Sequence, residues 1–426
     1  MSRRPGVVHL GVGAFARAHL AWYTLRASGE VWGITAFTGR SAAAAEALAA
    51  QDCRYTLVTR AADGDTAEVV DTIVAAHPGS DDTAWRRVVA SPGTTIVTLT
   101  VTEAGYRADS AIPARLVDGL AARRAAGGGR IALVSLDNLT HNGEVLRDAV
   151  LGATDDPALR SWIASTVAFP SSMVDRITPA TTASDLEEIR DLPGALDGDR
   201  MPVVTEPFAE WVLEDVFDGI DRPAWETAGV RLVPDVTPYE QRKLWLLNGS
   251  HSLLAYLGLL LGHETVASAM DDPRCRSAVE QLWDEAAAEL PLPADEVTAA
   301  RAALVERFAN PRIRHTLRQI AAGGSQKLPV RVVDVLRRRL ERDPEAGVGP
   351  GAATLLAAWW LHCTTQPELV DDTGAPGPDS DVHDVLGVVA PDLDTTPVVA
   401  AVTAAAERIR TAAAPARGTV DEGVHA

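Results

Sequence analysis

The stretch Val7-Val8-His9-Leu10-Gly11-Val12-Gly13-Ala14-Phe15-Ala16 (residues 7–16) decides the fold. Residues 7–10 form a short apolar strand, and a helical pattern runs from the glycines to residue 27. Between them stands Gly-x-Gly-x-x-Ala, at Gly11, Gly13 and Ala16. Gly11 permits a tight turn, and Gly13 lets a pyrophosphate approach the N-terminus of the helix. Ala16 takes the third position, which the pattern allows. A glycine turn precedes many helices, so the motif alone is weak. Its place after the first strand of a βαβ run makes it a signal for a dinucleotide. The second strand, 31–37, ends in Thr38-Gly39-Arg40-Ser41. An acid here would hold the ribose hydroxyls of NAD, and none is present. Arg40 either meets a 2′-phosphate or is simply solvated, so NAD stands first with NADP left open.

Further strands fit the same plan. Residues 42–50 read as an alanine-rich helix, with short strands at 55–58 and 69–73. Residues 94–101 (TTIVTLTV) are β-branched without alternation, the mark of a strand buried on both faces. They lead into Thr102-Glu103. A helix at 111–126 closes on Gly127-Gly128-Gly129, and a strand at 131–135 ends in Leu136-Asp137-Asn138. Ligands of parallel sheets bind beyond the carboxyl ends of the strands, which places Thr102, Glu103 and Asn138 at the rim of the glycine turn. Helices at 145–151 and 159–167, a pocket-like loop at 169–177, and a strand and turn at 203–208 complete this part.

The expected architecture is α/β: a Rossmann-type dinucleotide-binding domain over 1–235 and a mostly α-helical substrate domain over 236–426. Helices are expected near 264–270, 276–289, 294–308, 311–322, 328–342, 351–363 and 397–414, with a frayed tail at 418–426. Two domains also suit 426 residues, beyond the size at which one core keeps growing. A net charge of −19 argues against nucleic acid and anionic membranes as partners. Three cysteines without CxxC spacing fit a reducing compartment, and neither a disulfide framework nor a structural zinc site is indicated. The first residues pass directly into a strand with no signal-peptide apolar region, so a cytoplasmic protein is expected.

A second stretch carries the chemistry: YEQRKLWLLNGSHSLLAYLGLLLG, residues 239–262. It reads as one buried helix whose polar exceptions are Glu240, Lys243, Asn248 and His251. At roughly 100° per residue they fall within an arc of about 140°. Such groups are costly to desolvate, and their clustering needs a reason. The apolar run after His251 is too short for a bilayer, which takes about 20 residues. Taken singly, each has a plainer reading: a solvated lysine after Arg242, a kink at 248–250, a satisfied core histidine. One shared arc favours a site.

At this point the chain resembles the polyol-specific long-chain dehydrogenases, the mannitol dehydrogenase family with its fructuronate and tagaturonate reductases. The resemblance covers nearly the whole chain and rests on HLGVGAFARAH (9–19), TLTVTEAGY (98–106), SLDNLTHNG (135–143), FPSSMVDRIT (169–178), TEPFAEWVLED (205–215), KLWLLNGSH (243–251) and GSQKLP (324–329). It implies a metal-independent transfer of hydride between a nicotinamide cofactor and an open-chain polyol or ketose. Lys243 would be the general base, Asn138 and Asn248 would donate to the forming alkoxide, and His251 would orient substrate hydroxyls. Glu240 would help the proton leave. Gly11, Gly13, Phe15, Ala16, Arg17, Thr38, Arg40, Thr102, Glu103 and Asn138 would line the cofactor. Lys327 and Arg318 would reach the far end of the substrate. The site would lie in the cleft between the domains.

The physics agrees with those roles. A lysine base must fall from its free pKa of about 10.4, and burial or a nearby nicotinamide cation lowers it. Two amides stabilise a developing oxyanion at roughly 3 kcal/mol per lost donor. The helix rises about 12 Å from Lys243 to His251, which spans an extended six-carbon chain. The family usually has polar residues after the glycine turn, often His-Arg, whereas here Ala16 precedes Arg17. Mannitol and fructose are the first expected pair, with mannonate and fructuronate, or tagaturonate, second. A carboxylate substrate would need an extra cation, from Lys327 or Arg318. The rival classes are a non-catalytic nucleotide-binding redox sensor and a dehydrogenase of 2-hydroxy acids or phosphorylated gluconate. A monomer or small homo-oligomer is expected.

Overall fold

Parallel pairing organises the first half of the chain. The structure, a computed structural model, describes residues 3–39, 41–313, 315–393 and 396–413. It forms two compact units, Met1–Glu240 and Gln241–Ala426. In the first, six strands lie in the order Ile73–His77, Trp32–Phe37, Arg4–Leu10, Ile96–Leu99, Ile131–Ser135 and Val167–Ala168. Every neighbouring pair is parallel. Strand order reverses between Arg4–Leu10 and Ile96–Leu99, which opens the crevice where doubly wound sheets take their ligands. Trp32–Phe37, Ile96–Leu99 and Ile131–Ser135 are buried at every residue, as unbroken apolar runs between helical layers should be.

Several segments differ from expectation. The single strand expected at 69–73 is two: Gly64–Val70 pairs antiparallel with Tyr55–Ala61, and Ile73–His77 joins the main sheet. The loop expected at 169–177 contains a buried strand, Ser172–Asp175, paired antiparallel with Glu210–Glu214. Its polar ends hide a two-residue apolar centre, Met173 and Val174. Asp82–Ala90 is a helix that periodicity did not single out, started by Asp81 accepting from the Ala84 N–H. The helix expected through residue 27 breaks at His19 into Ala14–Ala18 and Leu20–Arg26.

The second unit is helical, as expected. Gly249–Leu260 is buried almost throughout and is touched by Val266–Asp271, Pro273–Ala287, Leu317–Ala321 and Pro350–Thr365. Val382–Val389 is an additional helix, with Asp381 and Asp384 forming its capping box. The tail at 418–426 lies outside the described residues.

The helix expected over 239–262 is not uniform. It runs α-helical over Thr237–Arg242, π-helical over Lys243–Asn248 and α-helical again over Gly249–Leu260. One extra residue in a turn sets everything beyond it back by about 100°. Lys243, Asn248 and His251, about 140° apart on a regular helix, then share an arc of about 60°. A second π turn, Pro329–Val333, packs against the first.

Candidate active site

In the first unit the glycine turn is built from beneath. Gly11 has φ +104°, and a Cβ there would overlap the Thr100 carbonyl oxygen. Gly13 is the opposite case: a Cβ on it meets nothing nearer than the Gly11 oxygen at 4.0 Å, so the space beside it is open. That opening at the head of a helix suits a diphosphate. His9 lies buried under the turn, with Nε2 3.0 Å from the Gly11 oxygen and Nδ1 2.8 Å from the Thr98 hydroxyl. Burial lowers its pKa to about 4 and keeps the ring neutral.

A carboxylate shapes the rim. Asp137 accepts from the N–H groups of Val101 at 2.9 Å and Thr102 at 3.0 Å, and from the Tyr106 hydroxyl at 2.6 Å. These contacts hold Thr102 at φ +66°, a costly backbone for a β-branched residue and of the kind that collects at functional sites. Glu103, exposed, follows it. Burial, together with Asp137, pushes the Tyr106 phenol far above its ordinary pKa. Asn142 donates to the Asp137 carbonyl at 3.0 Å and to the Ser172 carbonyl at 2.8 Å. The exposed Asn138 thus sits on a backbone fixed through its neighbour. Asp137, Tyr106, Asn142 and His9 escape sequence reading as individuals, although all four stand in the quoted motifs.

Other expected cofactor residues fall variously. Phe15 stacks on His19 at 4.9 Å, and Ala16 is buried. The Thr38 hydroxyl accepts from Gly79 N–H at 2.9 Å. Arg40 lies outside the described residues. Arg17, expected at the cofactor, instead turns inward: its guanidinium donates to the Met201 carbonyl and lies over the Tyr55 ring. Glu240 is buried, and its carboxylate accepts from the His141 N–H at 3.1 Å. Burial raises its pKa to about 7, against the lowering influence of His141.

In the second unit, Lys243, Asn248 and His251 come together on the arc that the π turn creates. Lys243 and Asn248 are half-buried and His251 is buried. Arg331 donates to the Asn248 carbonyl at 3.2 Å and to the Ser252 hydroxyl at 3.0 Å, satisfying backbone that the wide turn loosens. The side-chain oxygen of Asn248 and Nε2 of His251 have no partner. Burial holds the His251 pKa well below the usual range, and His315, Arg307 and Arg331 add to the shift. Lys327 is half-buried, with its ammonium on the carbonyls of Ile320, at 3.3 Å, and Ala322. It closes the end of the short helix Leu317–Ala321, on which Arg318 is exposed.

A doubly wound sheet with an open glycine turn, and a buried helix carrying amine, amide and imidazole on one face, define a dehydrogenase that acts on a CH–OH group. The chain belongs to the mannitol dehydrogenase family. Residues 5–227 match the mannitol dehydrogenase Rossmann domain, and residues 235–386 match the mannitol dehydrogenase C-terminal domain. D-mannonate oxidoreductase of Escherichia coli (strain K12) is 39% identical over 79% of this chain and 76% of its own. Among solved structures, a substrate-free D-sorbitol dehydrogenase superposes with a TM-score of 0.84 at 29% identity, covering 97% of this chain and 95% of that one. Mannitol 2-dehydrogenase of Pseudomonas fluorescens, in ternary complex with NAD and D-mannitol, superposes with a TM-score of 0.74 at 34% identity, covering 97% and 94%.

Proposed function

We propose that this chain is an NAD-dependent oxidoreductase that interconverts an open-chain polyol or sugar acid with its ketose form, with mannitol and fructose the leading pair. The observation that carries the reading is the shared arc of Lys243, Asn248 and His251, with a carboxamide oxygen and an imidazole nitrogen left unpartnered inside the protein. Buried polar atoms without partners are rare, and a polyhydroxylated ligand supplies what they lack. NAD, when bound, accepts or returns the hydride. The open space at Gly13 and the fixed rim of Thr102 and Glu103 suit its binding.

Lys243 takes the hydroxyl proton in oxidation and returns it in reduction. Asn138 and the Nδ2 amide of Asn248 donate to the negative oxygen as it forms. His251, neutral because its charged form is disfavoured, hydrogen-bonds remoter hydroxyls. Glu240, with a pKa near neutrality, suits passing the proton onward. A cytoplasmic setting suits three buried free thiols. A second reading, mannonate with fructuronate, is favoured by the cations Arg307 and Arg331 close enough to depress His251, since a carboxylate is attracted to such surroundings.

The test is a spectrophotometric screen of NADH oxidation with fructose, fructuronate and tagaturonate. At least one ketose supports turnover, and Lys243→Ala lowers kcat by about 10²–10⁴-fold while NADH binding stays intact. A wild-type protein inert towards all of them sinks the reading.

A further inference from the structure

We infer that His315 is a further substrate-positioning residue, which holds the His251 ring in place and sets a second imidazole nitrogen beside it. The inference rests on the polyol reading above and extends its binding site. His251 is only 8% exposed, and its Nε2 has no hydrogen-bond partner to fix the ring. Two rings fix it instead. Phe308 lies 4.9 Å away at 40°, and His315 lies 4.9 Å away, edge-on at 78°. Contacts of that geometry orient a ring without occupying its nitrogens.

The backbone of His315 is itself anchored. Its carbonyl accepts from the Val266 N–H at 3.1 Å, and its N–H donates to Ile313 at 2.9 Å. Its Nδ1 is shielded from solvent and has no partner. Three of the buried atoms without a partner in the second unit lie on the residues discussed: the side-chain oxygen of Asn248, Nε2 of His251 and Nδ1 of His315. Leaving each idle is costly, and a ligand that fills them offsets that cost. Burial lowers the pKa of both imidazoles, so both are neutral and able to meet a hydroxyl as donor or acceptor. A row of this kind fits successive hydroxyls of an extended sugar chain, with His315 reading the end away from the oxidised carbon.

Three variants test this. His315→Phe keeps the ring edge and removes the nitrogens; His315→Gln keeps hydrogen bonding and removes the ring; His315→Ala removes both. With a six-carbon substrate, His315→Phe raises KM by about tenfold, while kcat and the KM for NAD stay within about twofold. His315→Gln recovers part of that loss, and His315→Ala lowers kcat as well because His251 is released. If the alanine variant fails to fold, the phenylalanine variant decides the matter. Protection against thermal unfolding by mannitol or mannonate reads binding without turnover, and it too is weakened in His315→Phe. An active wild type with an unchanged KM in both His315→Phe and His315→Gln overturns the role of His315 alone. So does a loss of melting temperature that moves kcat and both KM values together. A wild type with neither turnover nor protection overturns the polyol reading and this inference with it.

Discussion

The glycine turn in the first unit and the π turn in the second treat polar groups in opposite ways. Around the first, His9, Asp137, Tyr106 and Asn142 spend their hydrogen bonds on the protein's own backbone and hydroxyls. Arg115 carries unpartnered nitrogens nearby, yet its guanidinium lies over the rings of Phe37 and Trp85, which suit a cation. Around the second, Asn248, His251 and His315 keep atoms in reserve. A closed network fixes a shape, whereas an open one waits for a ligand.

That contrast can be broken or sharpened by substitution. Arg123 is the extreme of the closed kind: fully buried, it donates to the carbonyls of Val89, Ser91, Thr94, Gly129 and Arg130. Arg123→Ala strands those oxygens and lowers the stability of the first unit by about 4 kcal/mol in urea titration. A loss under about 1 kcal/mol would mean that the network is ornamental.

Next in size is a pair of opposed pH dependences. Glu240, raised to about 7, keeps a proton that the unfolded chain gives up, so its contribution is full below the ordinary carboxyl range and fades as pH climbs to 7. His9, lowered to about 4, refuses a proton that the unfolded chain takes, so its contribution is present above pH 6.5 and fades as pH falls to 4. Each is worth up to about 3 kcal/mol, and in the wild type they largely offset. Glu240→Gln therefore yields a first unit whose stability rises with pH between 4 and 6.5, and His9→Gln one whose stability falls between 4.5 and 7. Denaturation at four pH values reads the slopes, and parallel curves in both variants would refute the assignment.

The smallest effect is the most telling. Asn248→Leu removes an unpaired buried oxygen, so the second unit gains about 1 kcal/mol while turnover collapses. A loss of stability would show that Asn248 belongs to the closed kind after all.

Much of the scaffold was legible because burial on both faces leaves a mark on composition. The strand at 131–135 has the expected bounds, and the β-branched run at 94–101 holds its buried strand at Ile96–Leu99. Ser172–Asp175 was not legible, since serine and aspartate at its ends read as a turn while pairing with Glu210–Glu214 buries them. Motifs brought Lys243, Asn248 and His251 forward, but nothing in KLWLLN announces a π turn, because apolar residues surround the polar ones on every side. Arg123 looks like any solvated helix arginine, and Arg17 like a residue lining the cofactor, until tertiary carbonyls claim them. His315 had no neighbours in sequence to mark it. Its significance comes from a ring that lies 64 positions earlier.

Helical register is counted in whole residues, and that gives the wide turn at 243–248 a further meaning. The alignment of amine, amide and imidazole cannot drift by small amounts. Winding the same residues at regular α-helical pitch would swing His251 by about 100° relative to Lys243 and widen the arc of the three groups from about 60° to about 140°. The spacing of the reactive groups is therefore locked, and changes in what the enzyme accepts must come from the segments that line it, such as the one bearing Arg307 and His315.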